Sequence, residues 1–319
     1  MARANINSVL VTGANGFVGN PLCEALAKQN WNVRGAVRSQ IKSEQDLEWI
    51  TINDVNRETD WSEALKDIDV VIHLAARVHI MEEKSANPLA EFREVNVEGT
   101  RQLAIQAANA GIKRLVYVSS IKVNGEKTMD KPFDESDPVD PQDAYGVSKY
   151  EAELALHEVA ANTGLEIVIV RPPLIYGPGV KGNFLQLIKV INTGFPLPFA
   201  SINNLRSLLY VGNLVDAMIL CATHPNAAGK TYLISDGDDV STPGLIKAMA
   251  EASGHKARLI SCPTFLLKCL SNLVGKKEQM NRLFDSLQLD NRKLMHDLGW
   301  KPKFSFSEGL KKTFEVVNI

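Results

Sequence analysis

The stretch VLVTGANGFVG, residues 9–19, decides how the rest of the chain is read. Val9, Leu10 and Val11 make the apolar run of a buried strand, and Gly13, Gly16 and Gly19 follow at its end. The next segment, PLCEALAKQ (21–29), has helical spacing. A glycine-rich turn between strand and helix lets backbone N–H groups approach a pyrophosphate, with the positive end of the helix behind them. The spacing is G-x-x-G-x-x-G, and taken alone it also suits ordinary turn and packing glycines.

A second constellation adds reactive groups. Tyr145 and Lys149 open the segment YGVSKYEAELALHEVAANTG (145–164), which has helical periodicity and closes on Gly164. Residues i and i+4 share a helix face, so phenol and ammonium point into one space. Upstream, LVYVSSIKVNG (115–125) reads as a strand ending in Ser119 and Ser120. Open α/β sheets bind ligands at such strand ends. Alone, the Tyr/Lys pair also describes a solvated helix face. Following the glycines and the serines in this order, it points to catalysis.

Strand and helix signals alternate through the first half. Strands are expected at 8–12, 32–37, 49–53, 69–74, 113–119 and 166–171, and helices at 19–29, 60–66, 89–110 and 145–163. Repeated βαβ units imply an α/β fold with a doubly wound parallel sheet, the Rossmann arrangement, over residues 1–172. After Arg171, RPPLIYGPGVKGNF (171–184) is dense in Pro and Gly and reads as a loop leaving the sheet. Residues 183–193 and 243–253 read as helical and 197–211 as extended. A smaller C-terminal substrate-binding lobe is expected over 173–319. The segment LLYVGNLVDAMILCATH (208–224) reads as a strand turn feeding a long apolar helix, which is expected to return part of 205–235 to the first domain.

Composition narrows the function classes. The 319 residues carry 35 basic and 37 acidic side chains, which gives a net charge of −2 and no basic excess for nucleic acid or a membrane surface. MARANINSVL leads straight into the first strand, leaving no room for a signal peptide. No apolar run reaches the length of about 18 residues that spans a bilayer. The nearest, PTFLLKCLSNLVG (263–275), is broken by Lys268, Ser271 and Asn272 and reads as a core-facing or interface helix. Cys23, Cys221, Cys262 and Cys269 form no C-x-x-C, and no histidine spacing suggests a metal. Free thiols fit a reducing, cytoplasmic setting. His73, in VVIHLAA, reads as a packed strand-end histidine.

These motifs together resemble the extended short-chain dehydrogenase/reductase family, in its nucleotide-sugar epimerase, dehydratase and reductase branch, over nearly the whole chain. The resemblance implies that Gly13, Asn15, Gly16, Phe17, Val18 and Gly19 bind a nicotinamide cofactor, with Asp54 and Val55 at its adenine. It places Leu74, Ala75 and Ala76 over the cofactor and adds Asn96, Ser119 and Pro172. It makes Ser120, Tyr145 and Lys149 catalytic, the last two also touching the cofactor. On the substrate side it implies Lys122, Asn183, Phe199, Arg206 and Arg282, with the two arginines on the diphosphate of a UDP-sugar. It also implies a homodimer paired through 89–110 and 145–163. Where the family carries a tyrosine, this chain has Asn124. The residue types suit the chemistry. A phenol of ordinary pKa about 10 is brought down by a neighbouring Lys⁺ and an oxidised nicotinamide, so that it exchanges a proton with a sugar oxygen held by the serine.

Two departures select among branches. Members that eliminate water across C4–C6 carry Thr-Asp-Glu where this chain has Ser120-Ile121-Lys122, so a dehydratase is excluded. At the end of the second strand, where NAD binders place Asp or Glu, this chain has Val37 and Arg38. An arginine there suits a 2′-phosphate and favours NADP(H) over NAD(H). The expectation is reduction of a UDP-4-keto-6-deoxy-N-acetylhexosamine. The alternatives are a UDP-hexose 4-epimerase with bound NAD and, in another class, a catalytically silent nucleotide-sensing scaffold.

Overall fold

Seven strands, paired in parallel throughout, form one sheet in the order β3-β2-β1-β4-β5-β6-β9. The computed structural model describes residues 7–40, 47–78, 87–267 and 277–316. In chain order the elements begin β1 (Ser8–Thr12), α1 (Gly19–Lys28), β2 (Asn32–Val37), β3 (Glu48–Thr51), α2 (Ser62–Leu65), β4 (Val70–His73) and α3 (Pro88–Arg93). A π-type turn, Glu94–Glu98, links α3 to α4 (Gly99–Asn109). There follow β5 (Arg114–Val118), α5 (Ala144–Thr163), β6 (Glu166–Arg171), β7 (Leu174–Tyr176), α6 (Gly182–Asn192), β8 (Leu208–Tyr210), α7 (Val211–Thr223), β9 (Thr231–Leu233) and α8 (Thr242–Ala252). Further helices span Lys277–Phe284, Arg292–Leu298 and Phe306–Val316.

The strands are apolar on both faces because both faces are covered. Val9 and Val11 face Leu22 and Leu26 of α1 and Leu214 and Met218 of α7. Leu10 and Val71 face Leu103 of α4 and Leu156 of α5 on the other side. A third core, built on Tyr176, Phe184, Ile188, Tyr210, Ile246 and Met249, unites β7, α6, β8 and α8. The strand order runs outward in both directions from β1 and β4. Their carboxyl ends, Thr12 paired with His73, therefore flank the crevice where such sheets take ligands.

Several local expectations are corrected. The 171–184 segment, read as loop, contains β7, which pairs in parallel with β8. Of the extended stretch 197–211 only Leu208–Tyr210 is a named strand. Strand β9, the seventh of the sheet, had no sequence signal. Three-residue strands are too short for alternation to register, and β9 is fixed by Ile169, Val170 and Arg171 of β6 beside it. The 263–275 segment is described only to Leu267, and Cys269 lies outside the described residues. Cys23 and Cys221 are buried, and desolvation pushes both thiols up to about 12. Among the described residues no helix is long and apolar enough to cross a membrane, and no His/Cys/Asp/Glu group is set to hold a metal.

Candidate active site

The first glycine loop is shaped by close approach. Gly13 has φ +67° and its α-carbon abuts the backbone of Leu74 and Ala75, so a side chain there would be strained and crowded. A Cβ on Gly19 would overlap the Gly13 carbonyl. The Gly16 N–H donates to that carbonyl at 2.9 Å, closing the turn. Val18, the residue capping α1, offers no side chain to the first-turn amides. These amides and the exposed Asn15 and Gly16 form a cradle open to an anion. Phe17 and Val18 lean instead onto the third core.

Across the crevice, Thr12 Oγ1 accepts the backbone N–H groups of Leu74 (3.1 Å) and Ala75 (3.0 Å). Its own proton therefore goes to His73 Nδ1 at 2.7 Å, and the imidazole donates from Nε2 to Thr100 Oγ1 at 3.0 Å. Burial, reinforced by Lys149, lowers His73 to about 3, so the ring is neutral and structural. Asn96, buried in the π-type turn, accepts from the Arg77 N–H (2.8 Å) and donates to Arg77 O and Ser148 Oγ (both 3.0 Å). It thus ties the segment after β4 to α5. Val55 packs on Gly99 at the start of α4, while Asp54 is exposed at the carboxyl end of β3. Arg38 is exposed at the end of β2 and makes no hydrogen bond or ion pair among the described residues.

The reactive triplet sits beyond β5. Asp143 caps α5 by accepting the Gly146 N–H at 2.7 Å, which fixes Tyr145 in the first turn and Lys149 one turn on. Lys149 Nζ donates to Val118 O at 2.7 Å and to Tyr117 Oη at 3.1 Å. It lies 4.3 Å from the Tyr117 ring centroid and 6.0 Å from that of Tyr145. Desolvation lowers Lys149 to about 7, and Glu153 on the next turn opposes the fall. The Tyr145 phenol is raised above its ordinary value, first by desolvation and then by Asp143. The sequence argument expected Lys149 to bring that phenol down. In the protein alone, burial outweighs it. Ser120 caps a short turn through the Lys122 N–H at 3.2 Å. The neighbouring Ser119 Oγ is buried without a hydrogen-bond partner among the described residues. Pro172, buried, accepts the Ile121 N–H at 3.0 Å and so anchors the Ser120 turn.

Ser120 and Tyr145 line a cavity of about 810 Å³ that also includes Lys122, Asn183, Phe199, Arg206 and Arg282. All of the expected substrate residues therefore meet in one space. Arg206 donates to Asp285 O at 2.9 Å. Burial and then the facing Arg282 guanidinium lower its pKa, so two cations share one end of the cavity. Lys122 is paired to Glu126 at 2.8 Å and to Asp143. Two further residues lacked any sequence signal. Tyr117 holds Lys149, and its ring stacks on His73 at 5.7 Å. Gln186 stands on α6 one turn from Asn183 and faces the same cavity.

The fold agrees with what comparison finds. Residues 9–235 match the NAD dependent epimerase/dehydratase family. The chain belongs to that family. It is 43% identical over 312 residues to a UDP-glucose 4-epimerase of Vibrio cholerae, with 97% of this chain and 95% of that one covered. It is 30% identical to a mouse dTDP-D-glucose 4,6-dehydratase, over 79% of this chain and 68% of the relative. Among solved structures, MoeE5 in complex with UDP-glucuronic acid and NAD superposes with a TM-score of 0.78 at 27% identity, covering 97% of this chain and 98% of MoeE5. The resemblance drawn from the motifs thus holds for the family, its sheet and its standing as an enzyme. The NADP(H) preference drawn from Arg38 gains no support, since the solved relative carries NAD.

Proposed function

We propose that the chain is a nucleotide-sugar 4-epimerase, inverting C4 of a UDP-linked hexose with a retained NAD. One observation carries this reading: Ser120 and Tyr145 share a cavity with the Arg206/Arg282 pair, while the positions that serve elimination hold Ile121 and Lys122. The nearby carboxylates of Glu126 and Asp143 are both engaged by Lys122. The 43% identity to a UDP-glucose 4-epimerase supports the same choice and favours it over the reductase expected from the sequence.

The residues fit the cofactor. The glycine cradle has room for a pyrophosphate where side chains would clash, and the uncapped α1 amides favour its charge. The orphaned Ser119 hydroxyl, at the end of β5, has a hydrogen bond to offer a bound group. Gly13, Asn15, Gly16 and Gly19 would hold the phosphates, and Asp54 and Val55 the adenine side. Leu74, Ala75 and Ala76 would cover it, with Asn96 keeping that segment in place. NAD, when bound, supplies reversible hydride exchange with C4.

The chain's own groups do the rest. Arg206 and Arg282 would clamp the diphosphate, for which a guanidinium fork is suited. That fixes the sugar's distance from Tyr145 and leaves the ring free to present either face. Ser120 would donate to the C4 oxygen, and Tyr145 would take and return its proton. Lys149⁺ would stabilise the phenolate, whose burial otherwise keeps it protonated. Exposed Ile105 on α4 and Leu154 on α5, two helices that pack together, support a homodimer through that face.

The test is incubation of purified protein with UDP-glucose or UDP-N-acetylglucosamine, following C4 epimers by NMR. Epimer without added cofactor supports the reading. Oxidation of NADPH on a UDP-4-keto-6-deoxy sugar, with no epimer formed, refutes it. That outcome would restore the reductase, which the unpaired Arg38 specifically favours.

A further inference from the structure

Lys122 stands in the cavity beside Ser120, yet its ammonium is already engaged. It donates to Glu126 Oε1 at 2.8 Å and to Asp143 Oδ2. Asp143 uses its other oxygen to accept the Gly146 N–H and so caps α5, two residues before Tyr145. The Lys122 N–H donates to Ser120 Oγ at 3.2 Å. One residue therefore touches the serine through its backbone and the cap of the tyrosine's helix through its side chain. The backbones also meet: a Cβ on Gly146 would lie 3.0 Å from Lys122 O and 3.3 Å from Lys122 Cβ. The Ser120 turn is thus pressed against the first turn of α5 and pinned there by an ion pair whose side chains are 21% and 28% exposed.

A carboxylate at this cap acts in two ways. It stabilises the start of the helix. Its charge also opposes the phenolate that proton abstraction requires. After desolvation, Asp143 is the group that raises the Tyr145 phenol. Burial would push the Asp143 carboxyl up as well. The Lys122 hydrogen bond, the Gly146 N–H and the Lys122 and Arg282 charges outweigh burial and hold that carboxyl below its ordinary value. The other groups around Tyr145 are Lys149, Tyr117 of β5 and the Phe92 ring of α3, over which Arg77 lies. The cavity lining adds Glu126, Arg206 and Arg282, with Glu126 acting on Arg206 and Arg282 on Asp143. A diphosphate held by both arginines would take up their charge. Lys122 would then be the cation left to offset Asp143.

We propose that Lys122 is a positioning residue: by holding Asp143 it clamps the Ser120 turn to the helix of Tyr145 and masks the charge of the cap from the phenol. This departs from the resemblance, which gave Lys122 to the substrate. It rests on the reading of Tyr145 as the acid/base and of the arginines as the diphosphate clamp. Its effect falls on proton transfer, which separates it from a substrate contact.

The experiment compares wild type, Lys122→Met, Lys122→Arg, Asp143→Asn and the double variant Lys122→Met/Asp143→Asn, with circular dichroism to check each fold. The pH profiles of kcat and KM are measured on UDP-sugar epimerisation. If the wild type forms no epimer, they are measured on keto-sugar reduction, since Tyr145 exchanges the same proton in both. Lys122→Met should move the limb governed by Tyr145 up by about one pH unit. In epimerisation below that limb, kcat should fall about tenfold while KM changes less than about threefold. Lys122→Arg should keep the wild-type profile. Asn still caps a helix, so Asp143→Asn should move the limb down, and the double variant should return to within about 0.5 pH unit of wild type. Should Lys122→Met not fold, Asp143→Asn decides alone, because its limb must still move down. A raised KM with an unmoved limb would make Lys122 a substrate contact. Equal losses at every pH, unrescued by Asp143→Asn, would make it a structural strut. Either result overturns the inference and leaves the epimerase standing. The expected shifts on keto-sugar reduction would sustain the inference and overturn the epimerase. Turnover of neither substrate overturns both.

Discussion

Breaking the buried ion pair one turn from Lys149 should cost far more than its surface counterparts. Arg171 on β6 donates to Glu153 on α5 through Nε at 3.0 Å and through a second nitrogen at 2.5 Å, and its third contact is Asn124 Oδ1 at 2.9 Å. The two side chains are only 7% and 3% exposed, so solvent screens neither. Glu153→Met would strand a guanidinium in the interior, and Arg171→Met a carboxylate. Each should lower stability by about 3–5 kcal/mol. The double replacement removes both charges and should recover most of that, leaving chiefly the lost Asn124 contact, roughly 1–3 kcal/mol. The coupling between the sites should therefore be at least about 2 kcal/mol. Denaturant unfolding of the four proteins, followed by fluorescence and circular dichroism, measures it. Single losses below about 1 kcal/mol, or an additive double variant, would refute the assignment of a desolvated, mutually dependent pair. Function should follow, because Glu153 lies one turn from Lys149 and helps keep it charged. Loss of Glu153 should move the loss of the Lys149 proton to lower pH.

Other outcomes are as specific. Tyr145→Phe should reduce kcat by about 10²–10⁴-fold with cofactor and UDP affinity nearly unchanged, as kinetics and calorimetry would check; retention of a tenth of the rate would remove Tyr145 as acid/base. Lys149 titrates at about 7 in the fold against an ordinary 10.5, so the unfolded chain binds its proton more readily between those values. Its contribution to stability is therefore absent below pH 7, rises across that window and is complete above it, and Lys149→Met should flatten the rise by up to one proton's slope. Arg206→Ala and Arg282→Ala should weaken UDP and UDP-sugar by similar factors; an effect confined to one sugar epimer would put the arginines elsewhere. Arg38→Asp should leave NAD binding intact and depress NADP(H) binding, and a wild type that already ignores NADP(H) would make Arg38 an ordinary surface charge.

The sequence alone was enough for the family and the parallel sheet, and it pointed to the side chains proposed to react, because those rest on short-range regularities. Glycine is demanded at Gly19 by the backbone of Gly13 and Ala14, only a few residues away in the chain. The i, i+4 relation of Tyr145 and Lys149 is set by helix geometry. Buried strands such as β1 declare themselves by unbroken apolar runs. Tertiary structure decided what depends on neighbours distant in the chain. It made a strand of Thr231–Leu233 by laying it beside β6, and brought Arg206 and Arg282 face to face. It set Tyr117 under Lys149, and let burial override the lysine in holding the Tyr145 proton. Desolvation and pairing are properties of an assembled interior, and no local pattern of residues encodes them.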